Sequence, residues 1–522
     1  MERLSYSIRG GDYDGAGAAS RDLKERLKRI GAEAAAVRRA VIAAYEAEMN
    51  VVIHAREGRL EATLAPHQVD VDVVDSGPGI EDVALAMQEG WSTAPPEARA
   101  LGFGAGMGLP NIRRNSDRLD ISSTPGVGTR VSFSVALRPQ AVAAGLPPAA
   151  LDVVAGRCNE CRRCLPACPT GALRVRDGGP QVLDHLCLGC PVCVAACRPH
   201  ALTLEDGPGA FPGEGAEVLV VPPGLLAAFV DRPAGAVRDE LLALGFAEVL
   251  PLHPFEDGLR RAVLDLAETG DLPSPVISPA CPAAVSLVEL RFPALIPHLA
   301  PLASPLEAAA QACEGRAAQF VVSCPAQRAA LLADGRLPLR ATVGAATVRA
   351  ALLPRLAARP ASPLARAPLP QAAGADDLLV VSGARHVAAV LEHVEDGRLG
   401  DVAVVEPFMC EGGCLGSPLL GEDVAVVAWR WAATADAAVA ADLPSRSRPR
   451  PYRARPGVRL DADMGEAIRK LGQLDRELRS LPGRDCGVCG APTCAALAED
   501  IVMGRATRDA CPYIAVGKES AT

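Results

Sequence analysis

The chain has 522 residues, 49% of them hydrophobic and 22% charged, with a formal net charge of −9 and 17 cysteines. That length exceeds what one hydrophobic core serves, so three or four domains are expected, and the composition excludes global disorder. The acidic balance argues against dedicated nucleic-acid binding. No apolar run is long enough to span a bilayer, and the N-terminus lacks the plan of a signal peptide. Cysteines grouped as C-x2-C in such a chain favour metal binding over disulfides, and the expected location is reducing cytoplasm.

The opening stretch is free of cysteine. Residues 33–54 carry a helical pattern with Val37, Val41 and Ala44 on one side, and Glu46, Asn50 and His54, spaced by four, share a face. Val69, Val71 and Val73 alternate with Asp70 and Asp72, which predicts a half-buried strand ending at Asp75. Gly77 and Gly79 then open a loop toward a helix predicted over 81–89. Further on stand Gly102-Phe-Gly-Ala-Gly-Met-Gly108 and Gly126-Val-Gly-Thr129, the second leading into a strand over 130–135. A junction between strand and glycine loop lets backbone approach a ligand closely. Singly, each piece also fits a solvated helix face or an ordinary turn.

The ordered set resembles the GHKL ATPase fold of histidine kinases, gyrase and anti-sigma kinases. Glu89-Gly-Trp-Ser-Thr-Ala94 followed by Gly106-Met-Gly-Leu-Pro110 is most similar to the stressosome switch serine kinases. The resemblance implies a two-layer α/β sandwich over residues 1–140 that binds ATP with Mg²⁺. By position, Glu46 would be the general base or water-polarising carboxylate, Asn50 the Mg²⁺ ligand, and Asp75 the acceptor for the adenine amino group. Gly77, Gly79, Gly104, Gly106 and Gly108 would shape the pocket and lid, with backbone N–H groups facing phosphates. Thr129 would reach the adenine side, and His54 would be a packed helix residue. Phosphoryl transfer needs mainly Mg²⁺ and positioning. No phospho-acceptor histidine motif is present, so a serine/threonine kinase is expected and a two-component histidine kinase is not.

Residues 150–206 hold Cys158-x2-Cys161-x2-Cys164-x3-Cys168-Pro169 and Cys187-x2-Cys190-x2-Cys193-x3-Cys197. This is the bacterial two-cluster spacing, in which the fourth cysteine ligates the other cluster. A ferredoxin fold is expected, with one [4Fe–4S] on Cys158, Cys161, Cys164 and Cys197 and a second on Cys187, Cys190, Cys193 and Cys168. Zinc is the alternative, since C-x2-C pairs also bind it, but two complete quartets at this spacing favour iron–sulfur.

Across residues 210–435 short apolar runs (218–221, 378–381, 402–405) alternate with helical stretches such as 237–244 and 307–311, which predicts α/β layers with buried strands. Cysteines stand in Ser278-Pro-Ala-Cys281-Pro, Val321-Val-Ser-Cys324-Pro and Met409-Cys410-Glu-Gly-Gly-Cys414. Isolated cysteines are usually buried small hydrophobes. Their order and neighbours, with Phe292-Pro-Ala-Leu-Ile-Pro297 and Ser304-Pro305, resemble the catalytic domain of [FeFe]-hydrogenases. In that family TSCCP, MPCxxK and CxGGC segments hold a [4Fe–4S] cube whose last cysteine bridges to a di-iron unit. The resemblance implies Cys281, Cys324, Cys410 and Cys414 as cube ligands. Ala280 stands where the family has a proton-relay cysteine, Gln327 where it has a cyanide-anchoring lysine, and Val322 and Phe408 where methionines line the di-iron pocket. A methyl group cannot pass protons, and an amide removes a charge-assisted bond. These departures count against a di-iron unit and fast H₂ turnover. Two relatives bracket the options: slow sensory hydrogenases that hold the di-iron cofactor, and assembly proteins that keep only cubes.

Residues 436–475 comprise an Arg/Pro-rich stretch, Ser445 to Pro456, expected as an exposed linker, and a helix over about 464–479. Residues 476–522 carry Cys486-x2-Cys489-x4-Cys494-x16-Cys511-Pro512, which resembles a small [4Fe–4S] domain of redox-coupled ion pumps and corrinoid proteins. A zinc ribbon would pair C-x2-C with a second C-x2-C. Cys313 belongs to no set and is expected in the core. Together these parts suggest a redox- or H₂-responsive signalling protein in which clusters bias a kinase or anti-sigma module. Its expected partners are ATP, a protein such as a kinase substrate or anti-anti-sigma-like protein, and a redox partner such as ferredoxin or hydrogenase subunits; pairing into a homodimer fits the ATP module's relatives. The alternatives are an electron-transfer or hydrogenase-type oxidoreductase subunit, and an ATP-dependent scaffold for hydrogenase or cluster assembly.

Overall fold

In a computed structural model the chain forms two compact units, Met1–Val142 with Val458–Arg484 and Cys494–Thr522, and Ala143–Gly457 with Asp485–Thr493. The structure describes residues 1–100, 104–141, 151–204, 210–229, 232, 234–333, 335–358, 377–434, 447–455 and 457–515. Gly102 and Phe103 of the glycine run, and Ser445, Arg446 and Pro456 of the Arg/Pro stretch, lie outside these. The chain is a mixed α/β multidomain protein, and none of its described helices is long and apolar enough to cross a membrane.

The first unit is built on β1 (Glu2–Arg9), α1 (Ala18–Arg29), α2 (Ala34–His54), β2 (Glu57–Ala65), β3 (Gln68–Asp75), α3 (Gly108–Asn115), β4 (Arg118–Thr124) and β5 (Gly128–Ala136). The strands form one antiparallel sheet in the order β1-β2-β3-β5-β4. Val69, Val71 and Val73 of β3 are all buried, whereas Asp72 between them points the other way and binds the Arg130 guanidinium and Ser132 hydroxyl of β5. A slip of one residue would drive those carboxylates into the core, so the alternation pins the register. Ala36, Ala40, Ala43, Ala44 and Ala47 of α2 are buried beside Val37, Val51 and Val52, small side chains that let a helix lie close to its neighbours.

The helix predicted over 81–89 is a single turn, Val83–Ala86. Asp82 caps it by accepting the Leu85 N–H, but Gly90, at φ 82°, then gives its own N–H to the Gly106 carbonyl at 3.0 Å. That cross-link draws the chain out of the helix. The helix Met464–Ser480 buries Ala467, Ile468, Leu471 and Leu474, and its Asp475 accepts from Arg26 of α1 at 2.6 Å. Glu477 on the same helix takes both arms of Arg508, three residues before Cys511.

In the second unit, β6 (Leu151–Val153) pairs with β9 (Leu202–Leu204), and β7 (Leu173–Arg176) with β8 (Gly179–Val182), as two antiparallel pairs. Leu165, Leu173, Val175 and Leu202 form their core together with Cys164, Cys193 and Cys197. A parallel sheet follows, ordered β11-β10-β13-β14, from β10 (Val218–Val221), β11 (Glu248–Pro251), β13 (Ala318–Val322) and β14 (Thr342–Gly344). A second, ordered β12-β16-β15, joins β12 (Val276–Ile277), β15 (Leu378–Ser382) and β16 (Val404–Phe408). Val218 through Val221 are wholly buried, as the unbroken apolar run requires in a parallel sheet covered on both faces. Cys313 is buried in the core beside this sheet.

The polarity of Ser445–Pro456 predicts a solvated linker, yet its described part, 447–455, packs within the second unit. Tyr452 donates its hydroxyl to the Ala300 carbonyl at 2.7 Å, Arg448 stacks over the Tyr452 ring, and Ala454 is buried. Arginine and tyrosine can bury their apolar bodies once backbone acceptors meet their polar ends, which composition does not reveal.

Candidate functional site

The N-terminal unit gathers most of its predicted residues around the ends of β3 and α2. Asp75 closes β3, and its Oδ1 accepts the Gly77 N–H at 2.7 Å and the Thr129 N–H at 3.3 Å. Gly128 is held at φ 144°, and a Cβ there would lie 2.0 Å from the Asp75 carbonyl oxygen, so only glycine lets β5 approach β3 this closely. Thr129 shares a hydroxyl bond with Ser123 at 2.9 Å, and Ser123 also accepts the Ile80 N–H. One face of α2 presents Glu46 and Asn50. Glu46 accepts from the Asn111 side chain at 2.7 Å, and a Cβ on Gly108, the first residue of α3, would stand 3.0 Å from Asn50 Oδ1. Gly79, Gly104 and Gly106 all adopt positive φ; a Cβ on Gly106 would strike the backbone of Gly90 and Trp91. His54 is half-buried, and burial pulls its pKa down against the opposing charge of Asp75.

Three participants carried no motif signal. Asn111 lies one turn beyond Gly108, Ser123 sits in β4, and Glu48 is a buried carboxylate whose two oxygens accept the Ala19 and Ser20 N–H groups. Glu48 thereby caps α1, an arrangement that charge at a helix N-terminus favours. A glutamate inside the apolar run Ala47-Glu-Met49 was the available hint for the last.

The thiols of residues 158–197 lie near one another in two neighbouring groups. Burial pushes the Cys164 thiol up to about 11, and the neighbouring charges of Cys197, Cys161 and Cys158 add to the effect. Burial likewise raises Cys193 to about 12, with Cys168, Cys187 and then Cys164 adding, while Cys190 is driven well up by burial and by Cys168, Cys193 and Cys187. Each remote cysteine thus stands with the partner loop, and the two groups adjoin. The loops turn through positive φ at Glu160, Arg162 and Gly189, and backbone N–H groups of Glu160, Ala172 and Leu202 point at the sulfurs of Cys158, Cys168 and Cys197.

Cys281, Cys324, Cys410 and Cys414 each follow the carboxyl end of a parallel strand, β12, β13 or β16, where open α/β sheets bind ligands. Pro282 and Pro325 then begin the helices Pro282–Arg291 and Pro325–Leu332. Burial raises Cys324 to about 12, and it drives Cys410 and Cys414 far up, with the other thiols of the set contributing. Gln327 accepts the Ser323 N–H and directs its amide nitrogen to the Cys414 sulfur at 3.5 Å. A cavity of about 370 Å³ opens beside Cys414, bounded by Ala280, Gln327, Phe408, Glu256 and Glu406. Burial raises Glu256 there to about 7, and Glu406 pairs with Arg260 at 2.7 Å. Cys486 and Cys489 belong to the second unit, and Cys494 and Cys511 to the first.

These donors suit iron–sulfur clusters. Buried thiols with raised pKa values give up protons only to a strongly cationic partner. Among the described residues, as the side chains stand, no group of three or more His, Cys, Asp or Glu is placed to hold a metal ion.

Comparison with known proteins matches three parts of the chain. Residues 12–135 match the histidine kinase-like ATPase domain, 228–327 the C-terminal domain of the iron only hydrogenase large subunit, and 481–513 an Fe-S cluster family. An anti-sigma F factor of Caldanaerobacter subterraneus subsp. tengcongensis is 38% identical over 94 residues, covering 17% of this chain and 62% of that protein. The serine/threonine-protein kinase RsbT of Bacillus subtilis is 29% identical over 90 residues, 16% of this chain and again 62% of that one. The chain therefore spans less than two thirds of these relatives. The corrinoid/iron-sulfur protein large subunit of Moorella thermoacetica is 47% identical over 36 residues, 7% of this chain and 8% of the relative. An [FeFe]-hydrogenase from Chlamydomonas reinhardtii superposes with a TM-score of 0.33 at 16% identity, covering 49% of this chain and 89% of that one. The chain is thus a fusion of a nucleotide-binding α/β domain with iron–sulfur protein segments. In particular, an ATPase domain of the anti-sigma F type stands at its N-terminus, a hydrogenase-large-subunit-like domain in its middle and an Fe-S domain near its C-terminus.

Proposed function

We propose that the protein is a redox-responsive signalling device in which iron–sulfur centres bias an ATP-dependent serine/threonine kinase or anti-sigma module. The observation that carries this reading is the pairing, in one chain, of the Asp75 and Glu46–Asn111 constellation with neighbouring, mostly buried or half-buried cysteines. Glu46 would polarise the attacking hydroxyl, Asn50 hold Mg²⁺, and Asp75 read the adenine amine. Cys158, Cys161, Cys164 and Cys197 would hold one [4Fe–4S] cluster, and Cys168, Cys187, Cys190 and Cys193 a second. Cys281, Cys324, Cys410 and Cys414 would hold a third, and the C-terminal four a further one on the strength of spacing and family match. Bound clusters supply a one-electron change of charge.

The protein supplies a strut toward the nucleotide residues. Glu477 binds Arg508 near Cys511, Asp475 of the same helix binds Arg26 of α1, and Glu48 of α2 grips the start of α1 two residues from both Glu46 and Asn50. Likeness to anti-sigma F factors and RsbT supports a protein partner of the anti-anti-sigma kind. The test is phosphate transfer from ATP to such a serine-bearing partner, measured with the protein oxidised, reduced and stripped of metal. Equal rates in all three states reject the coupling. The cavity beside Cys414 favours a second reading, an oxidoreductase subunit. Infrared carbonyl and cyanide bands, or H₂-dependent dye reduction, would support it; Ala280 and Gln327 argue that neither will be seen.

A further inference from the structure

Arg455, in the stretch that composition marks as linker, is 9% exposed. Its backbone N–H donates to the Glu289 carbonyl at 2.9 Å, which anchors it to the helix Pro282–Arg291 behind Cys281. Its guanidinium crosses to the other cysteine loop and donates to the carbonyls of Cys187 at 3.3 Å and His185 at 3.5 Å. Nε is buried without a hydrogen-bond partner. The nearest carboxylate by charge is Glu289, whose Oε1 is engaged by the Arg453 N–H. A guanidinium does not deprotonate in proteins, so a permanent cation is held out of water against the loop of Cys187 and Cys190. Such a placement is costly unless something anionic compensates it. In the first cysteine loop the Nε of Arg162 is likewise buried without a partner, but that guanidinium pairs with the Glu160 carboxylate at 3.4 Å.

We propose that Arg455 sets the reduction potential of the centre held by Cys168, Cys187, Cys190 and Cys193. This rests on the iron–sulfur reading above. Reduction places one electron, taken from a one-electron donor, on that centre and makes it more negative. A fixed positive charge in a low-dielectric setting favours the reduced form, because net charge, hydrogen bonds and solvent exposure set cluster potentials. Arg455 is a positioning residue in this scheme; it touches the loop and not the iron.

The test is a redox titration of the full chain, loaded with iron and sulfide anaerobically, using viologen mediators and electron paramagnetic resonance. Arg455→Gln should move one centre to a more negative midpoint and leave the others in place, at unchanged iron content. Arg455→Lys, which keeps the charge, should hold the midpoint near the wild-type value. Midpoints unchanged in Arg455→Gln, or all centres moving together, would overturn the assignment while leaving the cluster reading intact. A wild-type protein that takes zinc at residues 158–197 and shows no reduced-cluster signal there overturns both.

Discussion

Asp75→Asn would separate the proposed recognition of adenine from support of the fold. One carboxylate oxygen of Asp75 is engaged by the Gly77 and Thr129 N–H groups, at 2.7 and 3.3 Å, which leaves the other for the purine amine. Asparagine has a single acceptor oxygen. If that oxygen keeps the main-chain donors, its NH₂ meets the adenine NH₂ donor to donor. A hydrogen bond to a charged group contributes about 1.5–3 kcal/mol, so ATP should bind roughly 10- to 100-fold more weakly. Stability should change little, since both backbone donors retain an acceptor. Asp75→Ala strips those donors as well and should cost a further ~1–3 kcal/mol of stability. Inosine triphosphate provides the complement: its 6-oxo group accepts from the new NH₂, so Asp75→Asn should bind it better than wild type does. Calorimetric titration of both nucleotides, with thermal melts alongside, measures each quantity. ATP affinity within about threefold of wild type would refute the assignment of Asp75 to adenine.

Gly128→Ala should abolish ATP binding and lower the melting temperature of the N-terminal unit, because its Cβ would meet the Asp75 carbonyl at 2.0 Å and its φ of 144° is open only to glycine. Asp475→Asn, which leaves Arg26 with Asp22 as its charged partner among the described residues, should destabilise the first unit by about 1–2 kcal/mol and weaken the redox dependence of ATP turnover while sparing ATP affinity; urea melts and turnover assays decide. Glu256, raised by burial to about 7, keeps its proton in the folded state between the ordinary carboxylate range and neutrality while the unfolded chain loses it. Stability of the metal-free protein should therefore fall as pH rises through that window and level off above it. Glu256→Gln should flatten the fall, gaining on the order of 2–3 kcal/mol above pH 7 in urea melts compared with pH 5.

Much of the candidate site was legible along the chain because its chemistry is local. Thiols three residues apart can share one cluster, and Val69, Val71 and Val73 announce a one-sided strand that delivers Asp75 to its end. Val218–Val221 reads as a strand covered on both faces, and it is one. Local pattern failed where a distant group intervened. The helix over 81–89 lost to a backbone bond from Gly90 to Gly106, and the Arg/Pro stretch, polar by composition, found acceptors at Ala300 and on the Cys187 loop.

The order of amino acids thus supplied the candidate donors for metal and nucleotide, since donor type and short spacing are properties of the chain. Tertiary structure decided which of them meet. It brought Cys197 to the loop of Cys158, set Asn111 on Glu46, closed α1 with Glu48 and pressed Arg455 against Cys187. The physical reason is the burial of charge and of hydrogen-bonding groups: each must find a partner once water is removed, and that partner is chosen by the packing of whole elements and not by proximity along the chain.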